Sequence, residues 1–178
     1  MNNSKTHIQI AQEIYLLTQQ DFARTGIAIT AQQFGAALGF IVVGNFYLCE
    51  FPISDFQPEF KSENLWYVSM GSGQIIADPF LGFVRKNFWL DKQPNLEDGI
   101  FGTFWALEHA IEVNPGGIGA PSQIVVLQKK DDGTFHTEIL SESVMQEHVE
   151  NLGALETHIK SYKSTFAPNA TPPSPSAS

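Results

Sequence analysis

The stretch LWYVSMGSGQIIADPFLGF, residues 65–83, decides how the chain is read. Leu65–Met70 is an apolar run of strand character that stops at Gly71-Ser72-Gly73. Beyond it, Phe80, Val84 and Phe88 recur at helical spacing. A strand turning into a helix through residues this small lets something approach the main chain closely. Ser72 either caps the helix while the glycines permit tight packing, or offers a hydroxyl beside the amides of a helix start. Asp78-Pro79 leaves a second choice open: one helix kinked at Pro79, or a main helix beginning there.

Three chemistries do not fit the turn. A dinucleotide fingerprint requires a third glycine at position 76, where Ile stands. A P-loop requires Gly-Lys-Ser/Thr, which occurs nowhere in the chain. A nucleophile elbow requires glycine at positions 70 and 74, which hold Met and Gln.

Working outward, residues 7–23 place Ile10, Ile14 and Leu17 on one helical face, and Thr30 is positioned to cap a short helical piece through residue 37. GFIVVGNFYLCEF (39–51) reads as a hairpin turning at Gly44-Asn45. Pro52 to Asn64 is a polar connection. C-terminal to the Gly-Ser-Gly turn, Ile100, Phe104, Leu107 and Ile111 make a second apolar stripe, stopped by NPGGIGAP (114–121). QIVVLQ (123–128) and TFHTEIL (134–140) form a hairpin about Asp131-Asp132-Gly133. Residues 142–160 carry Met145, Val149, Leu152, Leu155 and Ile159 on a last helix. The order predicts an α+β fold, mainly antiparallel, with helices on the sheet, because strict βαβ alternation is absent. One domain over 1–163 is expected, followed by a Pro/Ser/Ala tail (164–178) too poor in apolar surface to order itself.

The totals narrow the function classes. With 178 residues, 43% hydrophobic and 16% charged, the chain has material for one real core. A net charge of −9 argues against nucleic acid or an anionic membrane as partner. No apolar run reaches the ~20 residues of a membrane span. The opening MNNSKTHIQIAQEIYLLTQQ interleaves Gln and Glu with its apolar residues, unlike a signal-peptide core. The one cysteine, Cys49, reads as a buried strand residue and fits a reducing cytoplasm. Neither a cofactor nor a metal is called for. His109 and Glu112 lie one helical turn apart beside Glu108, which reads as a surface ion pair, since no second His completes a zinc motif. His148 and His158 are expected to face solvent, and no Ser-His-Asp set can be assigned.

Three segments, in this order, resemble the carboxyl-terminal half of proteasome β-type N-terminal-nucleophile (Ntn) hydrolases and their simpler bacterial relatives. They are LWYVSMGSGQIIADPFLGF, the acidic helix start LEDGIFGTFWALEHAI (96–111), and the glycine break into a strand at NPGGIGAPSQIVVL (114–127). The hairpin at 39–51 resembles the one preceding the family's Gly-Ser-Gly strand. The similarity spans roughly residues 8–140.

The resemblance implies an αββα sandwich, here incomplete, and a threonine-type amide or peptide hydrolase. In that family the nucleophile is an amino-terminal Thr whose α-amine, of pKa near ~8, takes up the proton. Ser72 matches the serine that stands beside that amine, an auxiliary role. Gly71, Gly73, Gly116 and Gly117 match the glycines around it. Glu112 takes the place of the family's carboxylate, while Pro115 stands where the family has a serine.

No nucleophile is assigned within this chain. Thr103 falls inside a helix and Thr134 beyond most of the fold; Thr25 has no Asp or Lys at workable distance, since Asp55 and Lys61 follow the hairpin. The chain alone is therefore expected to be inactive. Its expected partners are further copies of itself or a polypeptide supplying the missing half-domain. A non-catalytic oligomerisation module and an unrelated α+β domain binding a small anion are the alternatives.

Overall fold

The computed structural model describes residues 5–26, 34–61 and 65–163. Among these the chain is an α+β fold of four helices, with antiparallel strands in two small sheets. It divides into two compact units, residues 1–138 and 139–178.

In the first unit, helix α1 (His7–Arg24) opens on a capping box. The Thr6 hydroxyl accepts from the Gln9 amide while the Gln9 side chain accepts from the Thr6 amide. Strands β1 (Ala36–Val42) and β2 (Asn45–Phe51) pair over seven residues, from Ala36↔Phe51 to Val42↔Asn45. Their turn is Val43-Gly44, one residue earlier than expected, with φ of 50° and 81°. Two positive φ values give the twist that joins adjacent antiparallel strands. The short strand β3 (Glu59–Phe60), inside the expected polar connection, extends this sheet along β2.

The helix rests on the sheet through Ala11, fully buried with Cys49, Phe51 and Phe56. Cys49 is thus the buried strand residue its type suggested. The contact face of α1 is centred on Ala11, and Leu17 is exposed, because a small residue lets the helix come close to the aromatic sheet. Most of the helical piece expected from Thr30 lies outside the described residues, and its end, Ala36-Ala37, belongs to β1.

A second core joins helices α2 (Gln74–Asn87) and α3 (Leu96–Val113) through Leu81, Val84, Trp89 and Ala106. Helix α3 starts at Asn95, whose side chain accepts from the Asp98 amide, and Glu97 and Asp98 favour its positive end. Its buried line is Gly102, Phe104, Ala106 and Ala110; of the expected stripe only Phe104 is fully buried. The cause is Trp89. A Cβ on Gly102 would stand 2.5 Å from the Trp89 ring, whose indole N–H donates to the Asp98 carbonyl at 3.1 Å. The indole fills the space that a large α3 side chain would have taken.

Strand β4 (Val125–Lys129) returns through the Asp131-Asp132-Gly133 turn to β5 (Phe135–Ile139), as expected. In the second unit, helix α4 (Glu142–Tyr162) is capped by Ser141, and Leu152 is its buried residue. Val149 and Ile159, expected on its buried face, are about half exposed. None of the described helices is long and apolar enough to cross a membrane.

Candidate functional site

The apolar run Leu65–Met70 leads into the site, and here the structure departs from the sequence reading. The run joins neither sheet. All six residues are half-buried, yet none of their main-chain groups pairs with another described main-chain group. The segment is held instead by side chains. Ser69 donates to the Asp78 carboxylate, which also accepts from the Gln74 amide nitrogen at 3.3 Å. Tyr67 joins the α2–α3 core, where burial pushes its phenol upward, Arg85 lowers it and Asp78 raises it.

The Gly-Ser-Gly turn follows. Gly71 has φ 85°, a left-handed geometry that favours glycine. Gly73 is the N-cap of α2, so Ser72 does not cap the helix. Pro79 lies within α2, which settles the open choice: one helix runs through it from Gln74.

The Ser72 hydroxyl instead donates to the Gly117 carbonyl at 2.7 Å, across 45 residues of chain. Beside that bond, a Cβ on Gly73 would stand 2.7 Å from Ile118 Cδ1. The Gly-Ser-Gly turn and the glycine break at 114–121 therefore form one surface. The break is further anchored to α3: the Gly117 amide donates to the Asn114 carbonyl at 3.1 Å and the Ser122 hydroxyl to Glu108 at 2.6 Å.

A cavity of about 850 Å³ opens beside this surface. Leu65's neighbours Trp66–Met70, the Gly-Ser-Gly turn, one side of α3 and Ile124–Leu127 line it. No Asp, Glu, Lys, Arg or His is among its lining residues. In a chain with 19 acidic and 10 basic residues, that is a strictly uncharged wall.

The bonding at the turn determines what it can bind. A hydroxyl has one proton, and that of Ser72 is spent on Gly117, so the oxygen offers lone pairs to a visitor. The amides of Gln74, Ile76 and Ala77 already donate to the carbonyls of Gly71 and Gly73. The Ser72 oxygen thus suits a ligand group that donates a proton, such as an amine.

The remaining residues singled out in the sequence fall elsewhere. Gly71 and Gly73 border the cavity, whereas Gly116, Gly117 and Glu112 are exposed and do not line it. His109 stacks on Phe80, ring centres 4.2 Å apart, and forms no ion pair with Glu108 or Glu112 among the described residues, because the aromatic face holds the imidazole. Thr25 donates to the Phe22 carbonyl at the end of α1, and Thr134 donates to Asp132 in the β4–β5 turn. Lys61 is held by Glu50, both nearly buried. No group of three or more His, Cys, Asp or Glu gathers as a metal site among the described residues.

Sequence reasoning missed the Ser69–Asp78–Gln74 cluster. The signal for it is an Asp one helical turn beyond Gln74. No protein-family model matches the chain, and comparison with curated proteins and with solved structures gives no match.

Proposed function

We propose that this chain supplies one wall of the pocket of a proteasome-like, threonine-type amide or peptide hydrolase, with Ser72 as auxiliary residue. On this reading the two small sheets and four helices are part of an αββα sandwich working in the cytoplasm. The observation that carries the reading is the Ser72–Gly117 hydrogen bond. It unites the two segments in which the resemblance is most specific, at the edge of an uncharged cavity.

The chemistry agrees with that placement. An Ntn nucleophile is activated by its own α-amine, whose pKa near ~8 lets it take and return a proton close to neutrality. A neighbouring oxygen with lone pairs to offer stabilises that amine when it becomes an ammonium. Ser72 is such an oxygen, because its proton is committed to Gly117. Thr25, Thr103 and Thr134 sit within secondary structure or turns, and on this reading the nucleophile is supplied by the missing half-domain rather than by this chain.

Peptide-amide turnover tests this. The purified chain alone is expected to show none. Joined with a polypeptide that begins with Thr and carries the Asp and Lys of the family, it is expected to turn over substrate. Ser72→Ala should then lower kcat/KM by about 10- to 100-fold, the worth of one hydrogen bond to a charged group. Turnover by the chain alone that vanishes on Ser72→Ala would overturn the proposal. So would a joined enzyme indifferent to Ser72→Ala.

A second reading, a non-catalytic module that assembles with itself or a partner, is favoured by large apolar side chains left in solvent around α2. Ile75 is 83% and Leu90 67% exposed. Light scattering decides it: self-association is expected, and a monodisperse monomer excludes it.

A further inference from the structure

Leu65–Met70 enters the Gly-Ser-Gly turn with a single hydrogen-bonded hold. Among the described residues, the bond from the Ser69 hydroxyl to the Asp78 carboxylate is the one hydrogen bond that this run makes. The other oxygen of the same carboxylate accepts from the Gln74 amide nitrogen at 3.3 Å. Ser69 stands just before the turn, and Gln74 follows Gly73 as the first residue of α2. One side chain therefore grips the chain on both sides of the turn, and Ser72 lies between the grips.

The turn has need of such a grip. Gly71 is left-handed at φ 85°, and a Cβ there would meet nothing within 4 Å, so packing does not pin it. Ser72 itself is exposed. The bond from the Gln74 amide to the Gly71 carbonyl shapes the turn, but it does not tie the preceding run to α2. A serine on so free a main chain turns away from a distant carbonyl at little cost unless its backbone is held. Asp is also a poor residue for a helix interior, which leaves its side-chain bonds as the reason for it at position 78.

We propose that Asp78 is the positioning residue for Ser72. Its carboxylate joins the run before the turn to the helix after it, and so fixes the backbone from which the Ser72 hydroxyl reaches Gly117. What Ser72 then does for an amine rests on the hydrolase reading above; how Ser72 is held does not. Asp78 acts only through Ser72.

Carbonyl carbon NMR of the full chain tests this, with Gly117 as the reporter. The wild-type signal and that of Ser72→Ala mark its bonded and unbonded positions. Asp78→Ala removes both grips while placing a better helix former in α2. It is expected to move the Gly117 signal most of the way to the Ser72→Ala position. Asp78→Asn keeps an oxygen for Ser69 and, with the Gln74 amide turned over, a bond to Gln74. It is expected to leave the signal near wild type. Ser69→Ala combined with Gln74→Ala removes the same two bonds with Asp78 in place, and should match Asp78→Ala. In the joined enzyme, Asp78→Ala should lower kcat by about tenfold with KM unchanged, and should add nothing to Ser72→Ala.

A Gly117 signal unmoved by Asp78→Ala, or by Ser72→Ala, overturns the proposal. So does a signal moved as far by Asp78→Asn, because charge rather than the two bonds would then be responsible. A wild-type signal in the Ser69→Ala, Gln74→Ala chain also overturns it, and that variant decides the matter if Asp78→Ala fails to fold. The NMR readout needs no nucleophile. A joined enzyme indifferent to Ser72→Ala defeats the hydrolase reading and leaves the clamp standing, whereas a Gly117 signal unmoved by Asp78→Ala alone defeats only the clamp.

Discussion

The β1–β2 hairpin and the Leu65–Met70 segment are two apolar, β-prone runs with opposite fates. In the hairpin, seven residue pairs close on a two-residue turn, and Cys49 and Phe51 disappear beneath α1. In Leu65–Met70 the side chains are only half-buried and the main chain pairs with nothing described. Composition does not separate them. The hairpin carries its own partner two residues away, whereas Leu65–Met70 runs directly into the turn before α2 and must find a partner elsewhere. Propensity makes a segment extended; a neighbouring edge makes it a strand.

The sharpest way to break this contrast is to cut equivalent anchors. Phe51→Ala should destabilise the chain by about 3–5 kcal/mol in urea unfolding, as for other fully buried aromatics. Val68→Ala, half-buried and outside any ladder, should cost no more than about 1.5 kcal/mol. Equal losses would show that the segment is as firmly built in as the hairpin.

Alkaline pH probes the hairpin side next. Burial pushes the Cys49 thiol up from 9.0 to about 11, opposed in part by Lys61. Lys61 is itself raised from 10.5; burial lowers it, but hydrogen bonding and charge from Glu50, then Glu59, more than compensate. Both groups hold their protons more tightly folded than unfolded. Their contribution is therefore complete below pH 9.0 and 10.5 respectively, and is lost as pH rises through the higher folded values. Cys49 alone accounts for a loss on the order of 2 kcal/mol by pH above 11. Thermal melts from pH 8 to 11 should show it, and Cys49→Ala should flatten the first part of the decline.

The smallest effect compares the two turns. Gly44 and Gly71 have φ of 81° and 85°, and a Cβ at either meets nothing within 4 Å, so alanine there tests backbone geometry alone. Gly44→Ala is expected to cost about 1 kcal/mol. Gly71→Ala should cost less, because a turn preceded by an unladdered segment can relax; a larger cost at Gly71 would mean that the turn is fixed more rigidly than the hairpin tip.

Helix positions were legible where periodicity acts locally. The helical stretches read at 96–111 and 142–160 fall within α3 and α4, and the Asp131-Asp132-Gly133 turn follows from its own residues. Which face each helix buries was not legible. Large residues dominated the reading of α1 and α3, while contact falls on Ala11, Gly102, Ala106 and Ala110. That choice depends on what approaches, Trp89 above all, and a distant indole leaves no trace in the helix's own spacing. Ser72 could be singled out by its glycines. Its partner could not, since nothing local points from position 72 to a carbonyl 45 residues away.

That separation sets the timetable on which the site matures. Closing so long a loop costs entropy that one exposed hydrogen bond, worth about 0.5–1.5 kcal/mol, does not offset unaided. The α2–α3 hairpin must first zip together around Trp89, delivering the glycine break to the turn, and only then does the serine latch. The corner where the two glycine-rich turns meet is thus among the last parts to set and the first to come loose when the helix pair breathes.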